Sequence, residues 1–196
     1  MPDITKTMAS LEKNGMHPVF FATAKQALAY LQEQIHDTSV GIGGSMTIKQ
    51  MGVYEALSAQ NTVYWHWLNP QVRDQANAAE TYLLSANALS EDGQIVNIDG
   101  TGNRVAAAIY GPKRVFYLVG TNKITPDLPS AMHRARNVAS PLNAKRLGMK
   151  TPCAVKGDRC YQCTSPDKIC AVTTITELAP GHTQVQVVLI DQPLGY

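Results

Sequence analysis

Short apolar runs alternate with helix-period segments along nearly the whole chain, and that alternation leaves few architectures open. His17 to Phe21 (HPVFF) has the length of a strand. Thr23 follows, with Gln26 three residues on in a capping-box pattern, and Ala24, Ala27, Leu28, Leu31 and Ile35 then recur at helical spacing. Met8 to Asn14 reads as the end of an earlier helix. Ser39 to Gly43 (SVGIG) predicts a buried strand running into a turn, Met46 to Ser58 a helix, and Thr62 to Trp65 a strand. Asn69-Pro70 opens a helix to about Ala79, and Thr81 to Leu84 is again a strand. Gly93 to Asp99 alternates apolar and polar residues, as an exposed strand or hairpin arm would. Val105 to Ile109 predicts a short helix, and Val115 to Val119 (VFYLV) is the clearest buried strand. Asp127 to Ala139 is a helix with Leu128, Ala131, Met132, Ala135 and Val138 on one face. The last strands, Val172 to Glu177 and Val185 to Asp191, are expected to pair antiparallel. Such alternation favours an α/β fold, a parallel or mixed sheet with helices on its faces.

Hydrophobic residues make up 44% and charged residues 16% of the 196, so a single domain spanning 1–196 can bury a substantial core. The formal net charge is +2, without a basic run, which argues against a nucleic-acid partner. No segment approaches the roughly 20 apolar residues of a membrane helix, and the first residues lack the apolar core of a signal peptide. The expectation is a cytoplasmic protein without a membrane partner. A homo-oligomer stays open. Tyr64, Trp65 and Trp67 suit core packing better than an interface.

Two glycine-rich loops are the first site candidates. Gly41-Ile42-Gly43-Gly44-Ser45-Met46-Thr47 lies between a strand and a helix. Glycines let backbone amides approach a ligand, and the Ser45 and Thr47 hydroxyls add hydrogen bonds, which suits a phosphate or carboxylate. The loop has neither a GK[ST] ending nor a GxGxxG pattern, and a tight strand-to-helix turn would use the same glycines. Asn97-Ile98-Asp99-Gly100-Thr101-Gly102-Asn103-Arg104 holds more polar side chains than a turn requires, which points to a ligand or a buried polar network. Asn87 and the cluster Gly120-Thr121-Asn122-Lys123 follow strands, where ligands of open α/β sheets gather. Lys123 could pair with an anion. Glu91 is the candidate catalytic carboxylate, and its neighbour Asp92 should point to the opposite side of an extended segment. The histidines (His17, His36, His66, His133, His182) are scattered, and there is no GxSxG elbow.

All four cysteines fall in one Pro-, Gly- and Lys-rich segment, residues 152–171, as Cys153-x6-Cys160-x2-Cys163-x6-Cys170. Clustered thiols in a cytosolic protein point to metal or redox chemistry rather than to structural disulfides. A CxxC with two flanking cysteines offers four thiolate ligands, for zinc or for an iron–sulfur cluster. A reversible thiol switch is the third option.

The blocks GIGGSMT, LLSANALSEDGQIVNIDGTGNR, GTNKI and RNVASPLNAKRLGMKTPC resemble those of LUD-domain, or lactate-utilisation, proteins, from about Lys25 to the last residue. The resemblance implies the fold shared by ribose-5-phosphate isomerases, sugar-phosphate deaminases and CoA transferases. That is a three-layer α/β/α, Rossmann-like, mostly parallel sheet, here with a cysteine-bearing segment near its C-terminal end. It implies phosphate binding at Gly41 to Thr47. Some CoA transferases carry a catalytic glutamate in a Glu-Asn-Gly pattern, and Glu91-Asp92-Gly93 is similar with Asp in the middle. It further implies work in lactate or related organic-acid utilisation, beside oxidoreductase subunits that carry iron–sulfur clusters. The cysteine cluster resembles one subgroup of the family. The ligand would be a small anionic metabolite. Two other readings stand beside this one: a free-standing isomerase or CoA-transferase-like enzyme using Glu91, and a non-catalytic sensor or accessory subunit.

Overall fold

The computed structural model describes residues 1–196. In chain order its strands are β1 (His17–Phe21), β2 (Ser39–Ile42), β3 (Thr62–Trp65), β4 (Thr81–Leu84), β5 (Ala88–Ser90), β6 (Ile95–Asp99), β7 (Arg114–Gly120), β8 (Ile124–Thr125), β9 (Val172–Thr176) and β10 (Gln184–Ile190). The helices are α1 (Ile4–Lys13), α2 (Ala24–Gln34), α3 (Met46–Met51), α4 (Val53–Ser58), α5 (Arg73–Asn77), α6 (Asn103–Ile109), α7 (Leu128–Arg134), α8 (Ser140–Arg146) and α9 (Pro152–Lys156). The capping box at Thr23 and Gln26 forms as the sequence predicts.

Six strands build the central sheet in the order β1-β10-β7-β4-β2-β3, with every neighbouring pair parallel. Its inner strands are covered on both faces, so they read as near-continuous apolar runs. Side chains alternate across β7: Val115, Tyr117 and Val119 enter one core, and Phe116 and Leu118 enter the other. The second core packs against α2, α3 and α4 through Ala27, Leu31, Ile48, Met51, Val53 and Leu57. The first packs against Leu11 of α1 and Ala107 and Ala108 of α6, together with Leu89 and Ile95 from a second sheet. Each fully buried large apolar side chain contributes roughly 1.5–3 kcal/mol.

The second sheet has the order β8-β5-β6-β9 and is mixed. Its outer face, Ala88, Val96 and Ile98, packs on Ala131 and Ala135 of the long helical arm that follows β8. This sheet corrects two expectations. Ile95–Asp99 is a hairpin arm but is buried along its whole length, because strands flank it and an apolar layer covers each face. The final two strands do not pair with each other. Thr176 of β9 pairs back to Ile95, whereas β10 lies parallel between β1 and β7. A strand pairs with whichever edge its apolar face can reach, and sequence proximity is a weaker force.

Two predicted helices also differ. Met46 to Ser58 divides at Gly52, whose φ of +66° is left-handed. Asp127 to Ala139 is longer than expected and runs from α7 through a π-helical stretch, Ala135–Ala139, into α8. Pro141 has no N–H to give to Asn137 and its ring would crowd that carbonyl, so the helix widens for a turn. No helix is long and apolar enough to cross a membrane.

Candidate functional site

The carboxyl ends of four adjacent parallel strands converge on one pocket of about 220 Å³. After β2 come Gly44 and Ser45, after β3 His66 and Trp67, after β4 Ser85 and Asn87, and after β7 Lys123. The loop after β6 adds Asp99, Gly100, Thr101 and Asn103, and α8 adds Asn143 and Arg146. This is where an open α/β sheet leaves its strand ends and loop amides free to meet a ligand. The volume is below the ~300–1,000 Å³ of sites for drug-sized ligands, which suits a metabolite of few heavy atoms.

Lys123 is the central polar group. It is 3% exposed, and its Nζ donates to Thr47 Oγ1 and Ser85 Oγ, each at 2.8 Å. Both partners are neutral hydroxyls, so no carboxylate compensates the ammonium. Burial first, then the charges of Arg134 and Arg104, push its pKa down to about 7. An ammonium has three donors and two are used, which leaves one for a ligand. Arg146 brings a second cation. It stacks on the Trp67 ring, 4.6 Å from its centroid, and donates to Asn143 Oδ1.

Arg104 also lines the pocket, but its guanidinium is occupied. Nη1 donates to Ser85 O at 3.0 Å and Asn97 Oδ1 at 2.6 Å, and Nη2 donates to Asn87 Oδ1 at 3.1 Å and Ile98 O at 2.8 Å. Nε faces Asp99 Oδ2 at 3.7 Å. Asp99 in turn accepts from the backbone N–H groups of Thr101, Gly102 and Val105 and so fixes the loop that begins α6. The excess of polar residues between Asn97 and Arg104 is therefore first a buried network, with Thr101 and Asn103 left to face the pocket. Asp99 is the one acidic residue in the lining against Lys123, Arg104 and Arg146, and Arg104 answers it. The surplus is positive, which favours an anion.

Of the residues marked in the sequence, Gly44, Ser45, Asn87, Asp99, Gly100, Thr101, Asn103 and Lys123 meet in the pocket. Thr47, Asn97 and Asn122 support it: Thr47 holds Lys123, Asn97 holds Arg104, and Asn122 Oδ1 accepts from Leu194 N. Gly102 caps α6 with φ +88°. Gly43 donates its N–H to Leu83 O. Gly41 serves packing, since a Cβ there would stand 1.9 Å from Ala76 O. Glu91 is not brought to the pocket. At the turn of the hairpin it accepts from Asp3 N at 2.9 Å, and Lys6 reaches both Glu91 and Asp92, at 3.8 and 2.9 Å. The two carboxylates share that cation because they sit in a turn, not in the extended segment that would separate them.

The sequence reading passed over His66, Trp67, Ser85, Arg146 and Tyr196 as site residues. Burial, and after it the charge of Arg73, lower the His66 pKa, and its Nδ1 is buried without a partner. The signal for Ser85 was its place directly after β4. No local pattern marked the others.

The four cysteines, each half-buried, line a second cavity of about 280 Å³. Burial raises the Cys170 thiol pKa, Lys168 draws it back, and Cys160, Cys163 and Cys153 push it further up, so those three thiols lie within electrostatic reach of Cys170. No three His, Cys, Asp or Glu side chains are gathered tightly enough to hold a single metal ion.

A parallel sheet with a cationic pocket at its strand ends defines a Rossmann-like class of α/β protein. The chain belongs to the LUD domain family, whose model matches residues 4–190, a family linked to lactate utilisation. Its fold is similar to that of a DUF162 family protein from Deinococcus radiodurans, at 12% identity and a TM-score of 0.58, over 95% of each chain. A weaker likeness, with 17% identity and a TM-score of 0.39, joins 55% of this chain to 44% of eIF2B beta from Chaetomium thermophilum. No curated protein matches the sequence.

Proposed function

We propose that this LUD-domain protein binds a small carboxylate or phosphorylated metabolite in the strand-end pocket. It would serve lactate or related organic-acid utilisation in the cytoplasm, beside oxidoreductase subunits that carry iron–sulfur clusters. One observation carries the reading: Lys123 is buried in the pocket on two neutral hydroxyls, with no carboxylate to compensate it. A buried cation held this way is costly unless an anion completes it. The test is calorimetric titration with lactate, pyruvate and inorganic phosphate. At least one should bind, and Lys123→Met should weaken it by about 10- to 150-fold, the value of one charge-assisted hydrogen bond. Equal affinity in the variant would refute the assignment.

A second reading, turnover by this protein alone, is favoured by the same side chain. A lysine whose pKa lies at about 7 can act as a base, or as an amine nucleophile toward a carbonyl. In the nucleophilic case Nζ adds to the carbonyl carbon of pyruvate, water leaves, and borohydride reduces the imine to a stable amine. Mass spectrometry should then find the adduct on Lys123. An unmodified Lys123 would remove the imine route.

A further inference from the structure

We propose that the four cysteines hold an iron–sulfur cluster, and that this cluster seats residues 169–171 against the loop that walls the ligand pocket. Cys153, Cys160, Cys163 and Cys170 approach from α9 and from the irregular chain after it, yet all four face one cavity. A single zinc ion needs its sulfurs about 2.3 Å away, converging on a point. Here the four thiols line one cavity of about 280 Å³, which has room for a core of several metal atoms and inorganic sulfide.

Two further features suit thiolate ligation. Within the CxxC turn, Gln162 takes a left-handed φ of +50°, one of two non-glycine residues in the chain to do so. That conformation aims its N–H at Cys160 Sγ, 3.4 Å away. An amide directed at sulfur stabilises a thiolate and tunes a cluster bound to it. Asn137 fixes the same turn by accepting from Cys160 N at 3.1 Å. The charges also fit. Four thiolates around a dipositive core leave a net charge of about −2, and the cavity is lined by Arg136 and Lys168 without any carboxylate. On binding, the thiols release their protons to solvent as Fe–S bonds form.

The cluster cavity and the ligand pocket share a wall, for Ile98 and Ile169 line both. Ala171 donates its N–H to Asp99 O at 2.9 Å, and Val172 continues the pairing with Asp99. Gly100 lies so close to Ile169 that a Cβ on it would stand 2.9 Å from the Ile169 carbonyl oxygen. Fixing Cys170 therefore fixes the backbone against which Gly100 to Asn103 rests. This coupling rests on the ligand-pocket reading, whereas the cluster does not.

The experiment begins with the full chain purified without oxygen. Iron and acid-labile sulfide in near-equal amounts, with broad visible absorption, are expected. Cys163→Ser should lose the colour while keeping the far-ultraviolet circular dichroism of the parent. Zinc without sulfide, or no metal, would overturn the cluster. Amide exchange then compares the loaded protein with protein stripped anaerobically by a chelator. Gly100 to Asn103 should exchange at least about tenfold faster after stripping, while β4 and β7 keep their rates. Unchanged exchange at Gly100 to Asn103 would overturn the coupling. Titration of both samples with inorganic phosphate separates the two readings: Lys123-dependent binding in a protein without a cluster sinks this inference alone.

Discussion

Two cavities stand on either side of Ile98 and Ile169, and they are built by opposite means. The strand-end pocket is assembled from the ends of a parallel sheet. Its walls are tied to strands whose side chains are buried on both faces, and the Arg104 network closes it from behind. The cysteine cavity is enclosed largely by irregular chain, with single tethers such as Cys160 N to Asn137 and Lys150 N to Asp167. Its thiols are half-buried and do not bond to one another. The first cavity is shaped before any ligand arrives. The second has no comparable frame of strands behind it.

That contrast is open to attack in several ways. The broadest is native-state amide exchange on chelator-treated protein. Residues 157–170 should exchange on the order of a thousandfold faster than β4 and β7, because local opening there breaks few buried contacts. Similar protection in both regions would erase the distinction. Next, Arg104→Met should cost about 3–5 kcal/mol in urea unfolding, since it leaves Asp99 and several buried acceptors without their donor. A loss below ~1 kcal/mol would mean that the pocket does not depend on this network.

Lys123 sharpens the comparison through pH. Its pKa falls from the ordinary 10.5 to about 7 in the folded protein. Below about 7 both states carry the charge, and the folded state bears its burial cost. Between about 7 and 10.5 the unfolded chain binds a proton that the folded chain does not, so stability should rise with pH across that window. Lys123→Met should flatten the rise in a series of thermal melts. An anion raises this pKa back, so affinity for the anion should fall as pH climbs past about 7. The smallest effect is expected of Glu91→Gln, less than about 1 kcal/mol and no change in ligand affinity, because Glu91 binds Asp3 and Lys6 away from the pocket. Lost ligand binding in that variant would place the site elsewhere.

The polar residues at strand ends were legible because the chain's own periodicity marks where each strand stops. Ser45, Asn87, Asp99 and Lys123 could be named from that alone. The role of each was not. Asp99 looks like a ligand contact in the sequence, yet three backbone amides and an arginine claim it. Lys123 reads as a loop lysine that could pair with an anion, and only the packing of Thr47, Ser85 and the segment around Gly195 makes it a buried cation. Arg146 and Trp67 come together from distant parts of the chain, so no local pattern could announce them.

By itself the sequence determined most of the elements, because strand and helix periods and capping residues act over a few positions. It determined the fold class, because alternation of those periods leaves little but a layered parallel sheet. It also determined that four thiols would sit close along the chain. Tertiary structure alone decided that β9 and β10 part to different sheets, that Glu91 faces the N-terminal helix, and that the cysteine cavity shares a wall with the strand-end pocket. Those outcomes depend on which buried surfaces meet across long stretches of chain, and local spacing carries no record of that.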